Sequence, residues 1–316
     1  MNSAQHSVTV MGLGPMGRAM AAALLDRGYA VTVWNRTASR AGDLLARGAA
    51  LAPSPAEAVA ANEVVILSLT DYAAVRAVLE PAAPALDGRV LLNLTSATPE
   101  EARAGARWAA GHGAVQLTGG VNSPPSGIGQ PESSTFYSGP REVFDRHRAV
   151  LVALTGRAEH HGEDPGRAAL LYQLGVGMFW TAMLGYWQAV ALARANGLTA
   201  ADFLPHADDT ANSLAQFFAF YADRIDAGVH VGDVDRLAMG MASVEHVLQT
   251  NADAGVDTAL PAAVVGLFRR GVEAGHGADS FSSLVELLAK PGKQCFAGPT
   301  DPGTDGRVRQ DGPSLR

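Results

Sequence analysis

A glycine-rich turn near the start of the chain is the first group of residues whose spacing predicts chemistry. Gly12-Leu13-Gly14-Pro15-Met16-Gly17 follows an apolar run and opens a helical pattern. In such a turn the first glycine permits a tight bend, the second lets the backbone approach a pyrophosphate, and the third lets the helix pack on the strand. The free N–H groups at a helix start also attract phosphate. At the first strand of a βαβ unit this motif predicts a dinucleotide site, and a turn without a ligand is the less favoured alternative.

The residues that follow the second predicted strand indicate which dinucleotide binds. NAD enzymes usually carry an acidic residue there, which holds the ribose hydroxyls. This chain has Asn35-Arg36-Thr37 instead, with Arg40 one turn later. Two guanidinium groups can pair with a 2′-phosphate, and no carboxylate is present to repel it. The sequence therefore predicts NADPH as the cofactor, while two solvated surface arginines remain the alternative.

Polar residues also occur at the ends of two later strands. Leu69 and Thr70 end one of them and are expected near the adenosine, and Asn93 and Thr95 end the next. Because ligands of open α/β sheets bind outside the carboxyl ends of the strands, these residues are candidate binding residues. A role in capping the loops is an equal alternative for Asn93 and Thr95.

Several other kinds of chemistry are excluded by what the chain lacks. The single cysteine, Cys295, excludes an intrachain disulfide. The nine histidines have no metal-ligand spacing, so we predict no metal. The net charge of −7 and the absence of a basic block argue against a nucleic-acid partner. No secretion signal is visible at the N-terminus, which predicts a cytoplasmic protein.

The elements that position these residues alternate between strands and helices in the first half of the chain, as in parallel βαβ units. Strands are predicted at Val8–Met11, Ala30–Trp34, Val64–Leu69 and Val90–Leu94, with weaker ones at Ala114–Leu117, Thr135–Ser138 and Ala158–His161. Ser54-Pro55-Ala56-Glu57 and Thr98-Pro99-Glu100-Glu101 each place a cap, a proline and a glutamate in the order of a helix start. After residue 161 the pattern is helical, with Asn196-Gly197 expected to end the long helix and Thr199-Ala200-Ala201-Asp202 to start the next one. The predicted fold is α/β, with an N-terminal Rossmann doubly wound sheet, a long interdomain helix and a C-terminal all-helical domain. The boundaries are 1–163 for the NADP-binding domain, 164–196 for the helix, 197–290 for a helical dimerisation and substrate domain, and 291–316 for a flexible tail.

The long helix carries no charged residue between Arg167 and Arg194, a run long enough to cross a bilayer. We favour a helix buried on all sides over a membrane span, because no other segment is similar to a span. One small helical domain can hardly cover such a helix, and a homodimer that joins the helical domains would cover it.

Residues 8–289 resemble the β-hydroxyacid dehydrogenase superfamily, and most closely its imine reductases. The resemblance is carried by Val-Met-Gly-Leu-Gly-Pro-Met-Gly at 10–17, by Leu92-Asn93-Leu94-Thr95-Ser96, and by the helix after Asp164-Pro165-Gly166. It implies hydride transfer from NADPH to an imine, or to the imine formed from a ketone and an amine. It also implies that Asn93 and Thr95 contact the nicotinamide ribose or the substrate.

The hydroxyacid branch of the superfamily uses a lysine on the long helix to move a proton, and this chain has no lysine between residues 1 and 289. The resemblance places Tyr172 where imine reductases carry aspartate or tyrosine, and the tyrosine type often accompanies an (S)-product preference. A neutral phenol can donate a hydrogen bond or a proton to the substrate nitrogen. A buried tyrosine with a purely packing role is the alternative, and Gln173 is the neighbour that a one-residue shift would substitute.

Apolar side chains along the predicted helices are candidates for the substrate pocket. Phe179 and Trp180 follow Tyr172 by about two turns and share roughly its face. The resemblance implies pocket walls that come partly from a partner subunit, and it extends the candidates to Leu214, Phe217, Phe218, Met239 and Met241. An aromatic stripe is more often plain core than pocket.

Three functions are compatible with these patterns. An NADPH-dependent imine reductase is favoured. A 3-hydroxyacid dehydrogenase with an altered proton relay is disfavoured by the missing lysine. An NADP-binding sensor without turnover would keep the glycine turn and Arg36 but have no organised pocket.

Overall fold

The computed structural model describes residues 6–289, which divide into two compact units between Thr181 and Ala182. The predicted tail, residues 291–316, lies outside the described residues, as do Lys290 and Lys293.

An eight-stranded sheet forms the centre of the first unit. Its strands are β1 (Ser7–Met11), β2 (Ala30–Trp34), β3 (Ala50–Leu51), β4 (Val64–Leu67), β5 (Val90–Asn93), β6 (Val115–Val121), β7 (Ser134–Ser138) and β8 (Arg157–His160). Their order in the sheet is β3-β2-β1-β4-β5-β6-β7-β8. The first six strands are parallel, and β1 pairs with both β2 and β4. The strand order reverses beside β1, which is where open α/β sheets bind ligands.

Helices cover both faces of this sheet. They are α1 (Pro15–Asp26), α2 (Gly42–Ala46), α3 (Pro55–Ala61), α4 (Tyr72–Leu79), α5 (Pro99–Ala110), α6 (Arg141–Arg146), α7 (Arg148–Leu154) and the first part of α8 (Gly166–Ala195). Side chains of β4 alternate between two apolar clusters. Val64 and Ile66 pack with α1 and α7, whereas Val65 and Leu67 pack with α3 and α4. The predicted doubly wound sheet is confirmed, and burial on both faces explains why β4 is a continuous apolar run.

Two predicted helix starts are confirmed by their caps. The Ser54 side chain accepts a hydrogen bond from Glu57 N at the start of α3. Thr98 and Glu101 form a reciprocal capping box at the start of α5. Such caps typically contribute about 1 kcal/mol each, and they fix where the chain leaves the strand and enters the helix.

The sheet departs from the predicted parallel pattern at β7, which runs antiparallel to β6. The connection between them holds a 3₁₀ turn at Pro125–Gly127 and no crossover helix, so β7 runs back along β6. The short β3 was not predicted, because two residues carry no periodicity.

The second unit is helical. After the end of α8 it contains α9 (Ala200–Asp226), α10 (Leu237–Asp253), α11 (Ala259–Gly271) and α12 (Leu284–Ala289). Gly197, at φ +81°, follows the end of α8, and a Thr199–Asp202 capping box starts α9, as predicted. The buried Asp235 carboxylate accepts hydrogen bonds from Tyr221 Oη and Phe281 N, both at 2.7 Å. Burial and this carboxylate raise the pKa of Tyr221 to about 12.

The prediction of a long helix buried on all sides is wrong for the single chain. Only 11% of the most apolar stretch of α8 is buried, because little of the described chain packs around it. By length and composition α8 could cross a membrane, and it is the one such helix among residues 6–289. Helix α9 also has no fully buried residue. Large apolar surfaces of both helices therefore lack cover in the single chain.

Candidate active site

A cavity of about 510 Å³ lies at the carboxyl ends of β1, β4, β5 and β6 in the first unit. It contains most of the residues predicted to bind cofactor: Gly12, Leu13, Gly14, Pro15, Met16, Asn35, Arg36, Thr37, Arg40, Leu69, Thr70 and Thr95. Tyr172 also lines it. The fold thus brings residues that are far apart in the chain to the carboxyl edge of the sheet. Ligands of open α/β sheets bind at this edge, and we call this the strand-end rule.

The glycine turn is built for close backbone contact. Gly12 has φ +98°, and a Cβ there would lie 2.2 Å from Ser68 O. A Cβ on Gly17 would lie 1.9 Å from Gly12 O, so Gly17 packs beneath the turn rather than lining the cavity. Gly14 faces open space and begins α1 without a side-chain cap. The helix start therefore presents uncapped N–H groups to the cavity, which fits a pyrophosphate.

Asn35 connects this turn to the arginine segment. Its Oδ1 accepts a hydrogen bond from Leu13 N at 2.9 Å, and its Nδ2 donates to Thr37 O at 3.0 Å. The side chain thus links the end of β2 to the glycine turn. Both of its amide atoms have protein partners, so its main contribution is to hold the two segments in register.

The cavity end near Arg36 and Arg40 is suited to an anionic group. Both side chains are exposed, and within residues 6–289 neither forms an ion pair. No aspartate or glutamate lines the cavity. Because neither guanidinium is already engaged by a carboxylate, both can donate hydrogen bonds to a phosphate.

Asn93 lies directly behind the cavity wall rather than in it. It is fully buried, its Oδ1 accepts from Thr95 N at 3.2 Å, and Thr95 Oγ1 accepts from Leu69 N at 3.2 Å. The second bond ties the ends of β4 and β5 together, and the first fixes the turn after β5. Asn93 Nδ2 has no partner among the described residues, and such a buried donor is costly unless something binds it. An unsatisfied donor beside the cavity fits a bound polar ligand.

Tyr172 is held close to the end of β6. A Cβ on Gly120 would lie 2.7 Å from the Tyr172 Cβ, so the absence of a side chain there lets α8 approach the sheet. The start of α8 is anchored by Asp164, which makes bonds of 2.9 and 2.8 Å with Arg103. The Arg103 hydrogen bond, with help from Gly166 N, lowers the pKa of Asp164 to about 2.

Sequence reasoning missed part of the cavity wall, at Thr118, Gly119 and Gly120. The weak strand was predicted to end at Leu117, whereas β6 continues to Val121. The strand-end rule applied to the true end would have found these residues. Thr118 Oγ1 accepts from Gln116 Nε2 at 3.0 Å. Trp34, Ser68, Ser96 and Ser123 also line the cavity.

The seven predicted substrate-pocket residues do not line this cavity. They are Phe179, Trp180, Leu214, Phe217, Phe218, Met239 and Met241. All but Met241 are exposed large side chains in the single chain. Their assignment to a substrate pocket stays a prediction. Residues 6–289 contain no group of three or more His, Cys, Asp or Glu side chains placed to hold a metal.

The fold and the cavity together define a dinucleotide-dependent oxidoreductase with a Rossmann domain and a helical C-terminal unit. Residues 7–162 match the NAD binding domain of 6-phosphogluconate dehydrogenase. Residues 164–290 match the C-terminal domain of NADPH-dependent reductive aminase-like proteins.

Individual proteins support the same assignment. The chain is 32% identical over 290 residues to an NADPH-dependent reductive aminase of Aspergillus oryzae, covering 90% of this chain and 98% of the relative. A Streptomyces aurantiacus imine reductase structure is 63% identical, with a TM-score of 0.88 over 90% of this chain and 100% of the other. An Aspergillus terreus reductive aminase, solved with NADPH and ethyl-5-oxohexanoate, is 34% identical, with a TM-score of 0.86 over 90% and 99% of the two chains. The chain belongs to the family of NADPH-dependent imine reductases and reductive aminases.

Proposed function

We propose that this protein reduces imines or iminium ions to amines with NADPH, and that Tyr172 is the side chain that meets the substrate nitrogen. One observation carries the proposal. Tyr172 stands in the cavity beside Gly120, in a chain with no lysine between residues 1 and 289.

The chemistry of the C=N bond suits this arrangement. NADPH, when bound, supplies a hydride to the carbon of that bond. Reduction of an iminium gives a neutral amine, so no oxyanion needs a positive partner, and a lysine ammonium would repel the cationic substrate. A neutral imine needs a proton at nitrogen, which the Tyr172 phenol can donate or direct by a hydrogen bond. The aromatic ring can also stabilise an adjacent cation.

The cofactor side of the proposal rests on three groups of this chain. Uncapped N–H groups at the start of α1 would hold the pyrophosphate, and Arg36 and Arg40 would hold the 2′-phosphate. The unsatisfied Asn93 Nδ2 would donate to a polar group near the nicotinamide or the substrate. A protein that only positions its reactants gains most of its rate from this kind of orientation.

The substrate side is completed by apolar residues of α8 to α10 in this proposal. Leu214, Phe217, Phe218 and Met239 expose large apolar surfaces, which a second copy of the chain would cover. A cytoplasmic homodimer, with pocket walls from both copies, accounts for these surfaces and for the exposed α8. Small cyclic imines are the expected substrates, and ketone–amine pairs are a second class.

A Tyr172→Phe substitution tests the role of the phenol. We expect kcat with a small cyclic imine to fall by about a hundredfold, because general acid catalysis contributes about 10²–10⁴-fold. The KM for NADPH should stay within about twofold. The measurement is NADPH oxidation at saturating imine.

The matched control is Tyr186→Phe on the same helix, where the ring stacks on Phe203 at an interplanar angle of 21°. That variant should keep the wild-type kcat. Full activity of Tyr172→Phe would remove the proton-donor role, and an equal loss in both variants would assign the effect to helix stability.

A further inference from the structure

Gln173 follows Tyr172 on α8 but does not line the cavity. Its Nε2 donates a hydrogen bond of 3.0 Å to Ala97 O. Ala97 is the last residue of a segment, Leu94–Ala97, that forms part of the cavity wall. The bond therefore connects the helix that carries Tyr172 to the wall on the β5 side of the cavity.

The helix face on which Gln173 lies is the face packed against the Rossmann unit. Ala169, one turn before Gln173, is 4% exposed and packs with Tyr72, Ala97 and Ala102. Residues four apart lie on the same side of a helix, so Ala169 and Gln173 form one contact line along Ala97. Tyr172 is about 100° away around the axis, which directs it past Gly120 into the cavity.

A rotation of α8 about its own axis would displace the Tyr172 phenol. A phenol oxygen lies far from the helix axis, so turning the helix by about 10° moves it by more than about 1 Å. Ala168 and Ala169 are buried, and Ala168 N donates to Ser138 Oγ at 3.0 Å, a bond more than one turn before Gln173. The anchors at the helix start, Asp164 with Arg103, hold its end in place but lie more than two turns from Gln173.

We infer that Gln173 is a positioning residue for the reaction: its hydrogen bond to Ala97 O sets the rotation of α8 and thereby aims Tyr172 at the substrate. The same bond fixes the position of Tyr172 relative to Thr95 and Ser96. The residue that meets the substrate and the residues after β5 in the cavity wall therefore keep a constant spacing. This inference rests on the role proposed for Tyr172.

Gln173→Leu removes the donor and keeps similar bulk. We expect kcat with 2-methyl-1-pyrroline to fall about tenfold, since a misplacement of 1 Å can cost up to about a hundredfold. The enantiomeric ratio of the product amine should change, and the KM for NADPH should stay within about twofold. Gln173→Glu should show partial recovery of kcat at pH 5.5 but not at pH 9, because only the protonated acid can donate to Ala97 O.

Gln188→Leu is the matched control. Gln188 lies further along α8, where its Nε2 donates to Asn251 Oδ1 and Asp257 O at 2.7 and 2.8 Å. Both leucine variants lose the hydrogen bonds of a half-buried side-chain amide, and thermal melts will show whether the losses of stability are similar. Only Gln173→Leu should change the enantiomeric ratio.

A double-mutant cycle with Tyr172→Phe tests whether Gln173 acts through the Tyr172 phenol. If Gln173 acts through the phenol, Gln173→Leu should lower kcat by less than about twofold in the Tyr172→Phe background. An equal tenfold loss in both backgrounds would overturn the inference, as would a Gln173→Leu enzyme with wild-type kcat and product ratio. A wild-type enzyme without imine turnover would contradict the proposed function itself, and with it this inference, before any variant is compared.

Discussion

At the scale of single residues, the site depends on two side-chain amides that hold its backbone segments together. Asn35 holds the glycine turn to the arginine segment, and Asn93 holds the backbone of Thr95, whose hydroxyl joins the ends of β4 and β5. Both residues were predicted from the sequence, because ligands of open α/β sheets bind where the strands end and both residues lie at such ends. Their partners were not found, since the strand-end rule says nothing about which backbone groups a side chain reaches.

The preference for NADPH is a residue-scale prediction. Arg36→Ala should raise the KM for NADPH by about ten- to a hundredfold, because a charge-assisted hydrogen bond contributes about 1.5–3 kcal/mol. The KM for NADH should change little, since NADH carries no 2′-phosphate. Steady-state kinetics with both cofactors measure the difference.

Arg107→Ala is the control for this substitution, because Arg107 pairs with Glu100 on the outside of α5. It should leave both KM values unchanged. Equal weakening of NADPH and NADH binding by Arg36→Ala would contradict a 2′-phosphate contact.

At the scale of secondary-structure elements, the starts of helices were predicted better than the end of strand β6. The caps at Ser54, Thr98 and Thr199 fix helix starts by local hydrogen bonds, and such bonds are visible in the sequence. The end of β6 was predicted too early, because Thr118-Gly119-Gly120 breaks the apolar run. Those glycines belong to the strand because they pair with β7, and Tyr137 and Tyr172 occupy the space that side chains there would need, which is a tertiary cause.

The start of α8 yields an element-scale prediction about pH. The pKa of Asp164 is lowered to about 2, first by Arg103 and then by Gly166 N. A lowered carboxyl pKa stabilises the folded state above the unfolded value of 3.8, and this stability is lost as the pH falls towards 2. Asp164→Asn should therefore lower the free energy of unfolding at pH 7 by up to about 1 kcal/mol. The effect is no larger because the ion pair is partly exposed and solvent screens it.

The difference between wild type and Asp164→Asn should shrink between pH 5 and pH 3 in urea unfolding experiments. Asp145→Asn, which breaks an exposed pair with Arg141, is the control and should have a smaller effect. A difference that stays constant down to pH 3 would mean that the Asp164 charge is not what stabilises the helix start.

At the scale of the whole molecule, the apolar surfaces of α8 and α9 pose the main question. The uncharged run was visible in the sequence, but what covers it was not, because burial depends on partners that a single chain does not contain. The described chain leaves Leu174, Phe179 and Trp187 on α8 and Phe217 on α9 about half exposed. Surfaces of this kind mark interaction sites.

We therefore predict a homodimer that is stable without detergent. Phe217→Lys should shift the mass measured by light scattering towards the monomer, because a buried ammonium without a partner opposes association. The control, Val152→Lys, places the same charge on an exposed apolar position of α7 in the first unit and should leave the dimer intact. A wild-type protein that stays monodisperse only in detergent would contradict this prediction and favour a lipid contact for α8.

The reaction itself is tested most directly by NADPH oxidation with 2-methyl-1-pyrroline, beside NADP⁺ reduction with a panel of 3-hydroxy acids. The absence of lysine from residues 1 to 289 and the position of Tyr172 in the cavity predict saturable turnover of the imine and none of the hydroxy acids. Turnover of a hydroxy acid alone would contradict the account and require another proton carrier. NADPH binding without turnover of either substrate would contradict it as well and favour a sensor.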